Sequence, residues 1–323
     1  MTRRSALGTR APFHLEATVR VLQRRLSNRV DVWEQGRYLR AFATAKNPVL
    51  VEVENHGTID RPDVRCAFRG DVSAATEQCV RQAVRKILGL DIDPERLTHF
   101  ADAGQPFRST LLALRGMRPP RFADLFETFA SVVPFQQLSL DAGVAIVGRL
   151  VERFGESIER EGRRYYAFPA AQRIAVAHLE RLQSCGLSAQ KAQTLSYLAR
   201  IITSGTLSEA ELVGMSTPDA LRRLVDLPGI GPWSAALVLL RGLGRIDVFP
   251  PGDVGAERGL RALLRLSPRT SLGRVIERFG DRRGYLYFCA LGGGLLAKGL
   301  IHAAPYDDGR HPRSGETVRQ QSM

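Results

Sequence analysis

The pattern of apolar residues changes near residue 110, and this change limits the folds open to the chain more than any other feature. Before it, short segments alternate apolar and polar residues, as strands with one buried face do. After it, apolar residues recur at helical spacing and strand patterns almost vanish. A strand-rich part followed by a helix-rich part indicates two segregated units within the 323 residues.

The first hundred residues predict a small α+β unit. The segment FHLEATVRV has apolar residues at alternating positions from Phe13 to Val21 and is predicted as a strand. DVWEQGRYLRAFA predicts two strands joined by a turn at Gln35–Gly36, and PVLVEVENHGTI and DVRCAFRG predict further strands. SAATEQCVRQAVRKILGL predicts a helix with Ser73 as its cap.

The rest of the chain predicts a helical unit between two tails. We expect a basic tail at 1–11, an α+β domain at 12–108, a helical domain at 109–301 and a disordered, polar tail at 302–323. Proline, glycine or serine separates most of the predicted helices. These are 122–131, 136–154, 170–183, 189–204, 208–214, 218–226, 232–241, 254–264, 271–279 and 283–300.

The charge balance points to a polyanionic partner. The net charge is +13 and the pI is about 10.3, and such a balance most often indicates nucleic acid. A generally basic proteome would give the same balance, so charge alone leaves both interpretations open. The four cysteines form no CxxC pair, so we expect no metal site. No apolar run could span a bilayer and no secretory signal is evident, so we expect a cytoplasmic protein.

The segment LPGIGPWS, residues 227–234, lies between two predicted amphipathic helices. Gly229 and Gly231 allow positive φ and leave bare backbone amides, and Pro232 suits the first turn of the next helix. A glycine turn that leads amides into a helix N-terminus is an anion site, and in a basic protein that anion is best read as a DNA phosphate. An ordinary tight turn between packed helices is the alternative.

The longer segment LVDLPGIGPWSAALVLLRGLGRIDVFPPGDVG resembles the hairpin and following loop of the helix-hairpin-helix-GPD superfamily of DNA glycosylases. Within that superfamily it is most similar to the DNA-3-methyladenine glycosylase II group. VVPFQQLS, YYAFPAAQRIA and LQSCGLSAQKAQTLSYLARII extend the resemblance upstream, so that it covers roughly residues 110–300 and extends to 13–105 only by architecture. It implies a mainly α, helix-hairpin-helix glycosylase fold of two helical subdomains with a small N-terminal α+β domain.

The resemblance also implies which residues do the chemistry. Asp253 follows FPPG where the family has its aspartate, and a carboxylate there would stabilise the positive charge that develops on the sugar as the N-glycosidic bond breaks. Its position alone equally suits a simple helix N-cap. Family members that also cut the strand carry a lysine where this chain has Trp233, and Lys191 and Lys298 are expected away from the pocket. We therefore expect a monofunctional enzyme.

The resemblance further implies a DNA interface and a base pocket. Gln137, with Gln136 beside it, matches the residue that fills the gap left by the flipped base, although either glutamine could be a capping or surface residue. An aromatic pocket would attract cationic alkylated purines. In this chain the pocket is less aromatic than is usual for the family. The expected hairpin contacts are Leu227, Gly229, Ile230, Gly231 and Ser234, and the expected pocket residues are Trp233, Leu237, Val254, Tyr285 and Leu291.

The expected activity is release of alkylated purines, of the 3-methyladenine or 7-methylguanine type, to leave an abasic site. The expected partner is damaged double-stranded DNA at a bacterial nucleoid, bound by a monomer, with no membrane. We expect no cofactor, although hairpin carbonyls of this type could hold a monovalent cation. Two alternatives stay open: the same fold acting on uracil, a deaminated purine or an oxidised base, and a non-catalytic DNA-binding protein.

Overall fold

The computed structural model describes residues 3–70, 72–97 and 105–305. It contains a five-stranded antiparallel sheet near the N-terminus, followed by helices and one small two-stranded sheet. The strand order in the larger sheet is β1-β5-β4-β3-β2. The strands are β1 (Arg3–Ala6), β2 (Val32–Glu34), β3 (Arg37–Phe42), β4 (Val49–Asn55), β5 (Val64–Arg69), β6 (Ser157–Arg160) and β7 (Arg163–Tyr166).

Most of the helices begin and end within a few residues of the predicted boundaries, because serine and aspartate caps mark many of their starts. The segment predicted at 170–183 divides into two short helices. The helices are α1 (Leu15–Gln23), α2 (Ala74–Ile87), α3 (Gln105–Ala113), α4 (Leu125–Ala130), α5 (Leu140–Phe154), α6 (Ala171–Ala175), α7 (Leu179–Gln183), α8 (Ala189–Thr203), α9 (Glu209–Gly214), α10 (Thr217–Val225), α11 (Pro232–Leu237), α12 (Val254–Leu263), α13 (Leu272–Glu277) and α14 (Arg283–Leu296).

The segment predicted as the first strand is helix α1, so that prediction was wrong. Its apolar residues alternate because the helix is buried on two sides. Ala17 and Val21, four residues apart, pack into the helical core, whereas Leu15, Val19 and Leu22 pack against the sheet. A helix between two cores has apolar residues on both faces, and in a short segment this imitates the period of a strand.

Both predicted tails are partly ordered. Arg3–Ala6, placed in a basic tail, form β1 and pair with β5, and the Leu7 side chain that follows is buried. At the other end, the amide of Ala304 donates to the Ala113 carbonyl (2.8 Å), and His302 contacts the Glu16 carboxylate (2.9 Å). Residues 302–305 are therefore tied to the body of the protein, whereas 306–323 lie outside the described residues.

The strand pair β6–β7 was not predicted; it lies in the helical domain, between the segments predicted as helices at 136–154 and 170–183. Ala167, which follows β7, forms a parallel bridge with Ala41 of β3, so this hairpin touches the N-terminal sheet. The N-terminal unit and the helical unit are thus in direct contact along this edge.

A buried ionic cluster also joins the two units. The guanidinium of Arg40, on β3, donates to Asp31 Oδ1 (2.7 Å) and to the Glu127 carboxylate of α4. The Tyr38 hydroxyl donates to the same Asp31 oxygen (2.7 Å). Burial raises the pKa of Glu127 to about 7, against the opposing effect of Arg40. The cluster therefore fixes α4 to the sheet.

Candidate active site

The hairpin between α10 and α11 contains two glycines with different structural requirements. Gly229 has φ +79°, and a Cβ there would lie 2.2 Å from Thr194 Oγ1. Gly231 has φ −91°, and nothing lies within 4 Å of where its Cβ would be. The fold therefore requires glycine at 229 but not at 231. A glycine that the fold does not require is typical of a backbone that a ligand must approach closely.

The neighbouring hairpin residues divide into buried anchors and exposed backbone. The side chains of Leu227 and Ile230, expected to contact DNA, are buried in the helical core at 5% and 4% exposure. They hold the turn, and only their main chain can face a ligand. Ser234 is also buried, and its hydroxyl accepts a hydrogen bond from the Gln136 amide. Contact of Leu227, Ile230 and Ser234 with DNA therefore stays a prediction for their main chain, because their side chains are buried.

Asp253 is the N-cap of α12, and it also faces a cleft. Its Oδ1 accepts from the Ala256 amide (2.8 Å), and its Oδ2 accepts from the indole Nε1–H of Trp233 (3.1 Å). The two donors use both carboxylate oxygens and fix the plane of the group. Each oxygen still has a lone pair directed elsewhere. Asp253 can therefore cap α12 and at the same time present a negative charge to a ligand in the cleft.

A cleft of about 870 Å³ lies over Asp253. The hairpin forms one side, the loop before α12 the second, and the turn before α5 the third. Trp233 and Val254, both expected in a base pocket, line it, and the Val254 side chain is 68% exposed. Its remaining walls include Arg24, Phe135, Gln136, Gln137, Leu138, Lys191, Thr194, Gly229 and Gly231.

Three other expected pocket residues do not line this cleft. Leu237 is buried within the helical core. Tyr285 is also buried in that core, where its hydroxyl donates to the Met117 carbonyl (3.2 Å). Leu291 is half buried and packs against the same core. Tyr285 and Leu291 lie away from this cleft because α14 packs against α12 and α1, and Leu237, at the end of α11, packs into the same core. Phe135, which sequence reasoning missed, supplies the second aromatic wall of the cleft.

The turn that carries Gln136 and Gln137 separates their roles. The side-chain amide of Gln136 donates through Nε2 to the Gly229 carbonyl (2.9 Å) and to Ser234 Oγ (3.0 Å), and these bonds stabilise the hairpin. Gln137 has φ +55° and is exposed, and the next side chain, Leu138, is 44% exposed at the rim. The exposed position of Leu138, next to a residue with a strained backbone, was not predicted, although Leu138 belongs to the VVPFQQLS segment of the resemblance.

Lys191 lies in the cleft wall, so its expected position away from the pocket was wrong. It is near the start of α8, and its ammonium donates to the carbonyls of Gln136 (2.6 Å) and Pro134 (3.2 Å). Burial lowers the pKa of this amine. Lys298 follows α14 and is exposed, outside the residues that line the cleft.

Within the described residues, no group of three or more His, Cys, Asp or Glu side chains is arranged to hold a metal ion. In that same part of the chain, every helix is too short or too polar to cross a membrane.

The fold and the site together define a class. Residues 130–280 match the HhH-GPD superfamily of base excision DNA repair proteins, and residues 4–124 match the AlkA N-terminal domain. The chain belongs to the HhH-GPD superfamily, because the first match contains the hairpin, Trp233 and Asp253 and a relative in the superfamily is 30% identical over most of its length.

Individual relatives agree with this assignment. DNA-3-methyladenine glycosylase 1 of Schizosaccharomyces pombe is that relative; the alignment covers 55% of this chain and 70% of the relative. The DNA-3-methyladenine glycosylase of Bacillus subtilis is 28% identical over 268 residues, which are 76% of this chain and 88% of the relative. The structure of 3-methyladenine DNA-glycosylase from Archaeoglobus fulgidus superposes with a TM-score of 0.70 at 27% identity, covering 90% of this chain and 97% of that one.

Proposed function

We propose that this protein is a monofunctional DNA glycosylase that flips alkylated purines out of double-stranded DNA and hydrolyses their N-glycosidic bond to leave an abasic site. One observation carries the proposal: a carboxylate fixed by two donors, Asp253, lies in a cleft bordered by the hairpin glycines and by an exposed apolar rim residue. The named relatives act on 3-methyladenine, which supports this substrate class.

The hairpin would hold the DNA backbone. Its exposed turn presents the amides around Gly229 and Gly231 next to the N-terminus of α11. Neutral donors at a helix N-terminus bind a phosphate without reading sequence. The hairpin would thus set the position of the strand and leave lesion recognition to the cleft.

Leu138 would fill the space that the flipped base leaves in the duplex. Flipping a base out of the stack costs a few kcal/mol of free energy, and this cost is lowest for damaged bases. Apolar wedge residues such as leucine insert between base steps in other DNA-bending proteins. The exposed Leu138 and Gln137 project at the rim, whereas Gln136 is engaged with the hairpin, so we assign the wedge to the first two.

Asp253 would act on the sugar. As the bond to the base breaks, positive charge develops near C1′, and an adjacent carboxylate lowers the energy of that state. The same oxygen can orient a water for attack. An alkylated purine carries its own positive charge and leaves readily, so a second acidic group to protonate it is unnecessary. The Trp233 ring would offer its face to such a base.

The absence of strand cleavage is part of the proposal. Cleavage by β-elimination needs a free amine that attacks C1′. Lys191 has a lowered pKa, which favours a nucleophilic amine, but its nitrogen donates to two carbonyls of the turn before α5. We assign it to holding that turn, and we expect the strand to stay intact after base release.

The reaction needs no cofactor. A monovalent cation at the hairpin would compete with the Gln136 amide, which already donates to the Gly229 carbonyl, so the site as built does not favour one. A single chain supplies the hairpin, the wedge residues and Asp253, which supports action as a monomer on damaged duplex DNA.

The test is release of free bases from methylated duplex DNA, followed by chromatography. The expected result is 3-methyladenine and 7-methylguanine in the supernatant and intact strands that break only after alkali. Release of neither base by an enzyme that still binds DNA would contradict the proposed activity.

A further inference from the structure

The cleft has a second cavity behind it, and the two share Arg24 and Phe135 as a common wall. The rear cavity has a volume of about 40 Å³. Arg241, Asp31 and Glu127 line it, whereas none of these three lines the main cleft. The wall between the two cavities therefore carries a cationic group, Arg24, that the chemistry at Asp253 does not use.

Arg24 is the half-buried cation of this wall. It ends α1 with φ +59° and ψ −35°, outside the favoured regions for a residue with a Cβ. Its guanidinium makes no hydrogen bond or ion pair with any other residue that the structure describes. Strained residues with unpaired polar groups cluster at binding sites, where a ligand completes their contacts.

Arg241 lies behind it and is 4% exposed. Its guanidinium packs over the Phe122 ring at 4.5 Å, and neither Nε nor Nη2 has a hydrogen-bond partner among the described residues. Burial lowers the pKa of this guanidinium, and the nearby charge of Arg24 lowers it further. The two groups repel each other, which disfavours a closer approach of Arg24 to Arg241 within the rear cavity, whereas the main cleft, which Arg24 also lines, offers room for a ligand acceptor.

The nearby carboxylates do not neutralise Arg24. Asp31 accepts from Arg40 and from the Tyr38 hydroxyl, and Glu127 accepts from the same Arg40. The main cleft thus has a carboxylate on one side, at Asp253, and an unpaired guanidinium at its inner wall.

We propose that Arg24 is a specificity-determining residue that donates hydrogen bonds to an exocyclic oxygen of the flipped base, and so favours 6-oxopurines over 6-aminopurines. This rests on the proposed function. A 6-oxopurine such as 7-methylguanine or hypoxanthine offers an acceptor to the guanidinium. 3-Methyladenine presents an amino group, a hydrogen-bond donor, at the same position, and a donor is unfavourable beside an arginine. Both methylated purines are cationic in DNA, so the exocyclic group is what distinguishes them.

One sample of methylated DNA tests this, because it contains 7-methylguanine and 3-methyladenine together. Arg24→Met keeps the length of the side chain and removes the donors. We expect release of 7-methylguanine to fall about tenfold or more, as for loss of a hydrogen bond with a charged donor, while 3-methyladenine release is unchanged or rises. Arg24→Lys, which keeps a donor, should retain part of the preference.

The matched control is Arg25→Met, because Arg25 is adjacent and is already paired with Asp141 (2.5 Å). It should leave the ratio of the two bases unchanged. Hypoxanthine is an uncharged 6-oxopurine, so its single-turnover release from an oligonucleotide tests the contact without a positive charge on the base. In this assay Arg24→Met should slow the chemical step about tenfold, with DNA affinity near that of the wild type.

An unchanged base ratio in Arg24→Met would overturn the inference. So would a uniform loss of DNA affinity, which would make Arg24 a phosphate contact. Release of hypoxanthine alone by the wild-type enzyme would contradict the alkylpurine activity and leave the Arg24 inference intact. Release of none of the three bases would overturn both.

Discussion

The two glycines of the hairpin provide a test that separates folding from DNA binding. Gly229→Ala places a Cβ at φ +79° and 2.2 Å from Thr194 Oγ1, whereas Gly231→Ala places one at φ −91° in open space. The same chemical change, two residues apart, should therefore act on different properties of the protein.

The expected magnitudes follow from the geometry. At Gly229, a left-handed conformation with a Cβ costs about 1–2 kcal/mol and the forced contact about 1–3 kcal/mol. The sum is about 2–5 kcal/mol of unfolding free energy, or a melting temperature roughly 3–7 °C lower for a chain of this length. At Gly231, alanine restricts the unfolded chain, which stabilises by about 0.4–1 kcal/mol. The weaker N-cap costs a similar amount, about 0.5–1 kcal/mol, so the net change in stability is close to zero.

The effect on DNA should be the reverse for Gly231. A methyl group on the exposed turn holds a phosphate away from the amides, and a hydrogen bond to a charged group contributes about 1.5–3 kcal/mol. Binding of Gly231→Ala should weaken roughly 10- to 100-fold, equally for undamaged duplex and for duplex with an abasic analogue, because phosphates carry no base information.

Thermal melting and fluorescence anisotropy measure the two properties, the latter well below the melting temperature of each variant. If the affinity of Gly231→Ala for both duplexes is within twofold of that of the wild type, the hairpin does not bind a phosphate as proposed. If Gly229→Ala has the same melting temperature as the wild type, the fold does not require glycine at position 229.

Further predictions concern the site and its frame. Asp253→Asn keeps a cap for α12 and removes the charge, so base release in a single-turnover assay should fall by a factor on the order of 100 or more with DNA affinity retained; most of the activity remaining would exclude Asp253 as the catalytic group. Borohydride should trap no covalent adduct on alkylated DNA, and an adduct that disappears in Lys191→Met would show instead that this amine is the nucleophile. Leu138→Ala should weaken binding to an abasic duplex more than to an undamaged one, and equal losses would remove it as the wedge. Because the pKa of Glu127 is raised from 4.5 to about 7, the folded state binds more protons between these values. Its contribution to stability should therefore be full below about pH 4.5 and decline as pH rises through 7; melting curves of Glu127→Gln should show a smaller decline, and an unchanged slope would contradict the shift.

Local signals in the sequence were enough to locate most of the helices and the hairpin, although α3 was not predicted. The caps and the Pro-Gly turn act within a few residues of themselves, so their structural effect can be read from a short segment. The position of Asp253 as a cap follows in the same way. Helix α1 shows the limit of such reasoning, because its apolar pattern depends on two cores that are distant in sequence.

The cleft walls could not be predicted for the same reason. Lys191, Phe135 and Arg24 come from three separate elements, and each lines the cleft through packing between units rather than through a local pattern. Tyr285 failed as a pocket residue because an aromatic side chain on α14 serves a core equally well. Features that depend on one segment, such as the hairpin and the capping position of Asp253, were predictable, whereas the set of residues that line the cleft was not.

A chain of hydrogen bonds joins the parts that the proposal treats separately. Lys191 holds the turn that ends in Gln136, and Gln136 in turn donates to the hairpin at Gly229 and Ser234. Trp233, the residue before Ser234, donates to Asp253. A phosphate bound at the hairpin would therefore fix both the rim and the carboxylate relative to the same strand. Because the buried side chains of Leu227 and Ile230 anchor the hairpin, the frame is set before DNA binds, and selectivity is left to what enters the cleft between Trp233 and Arg24.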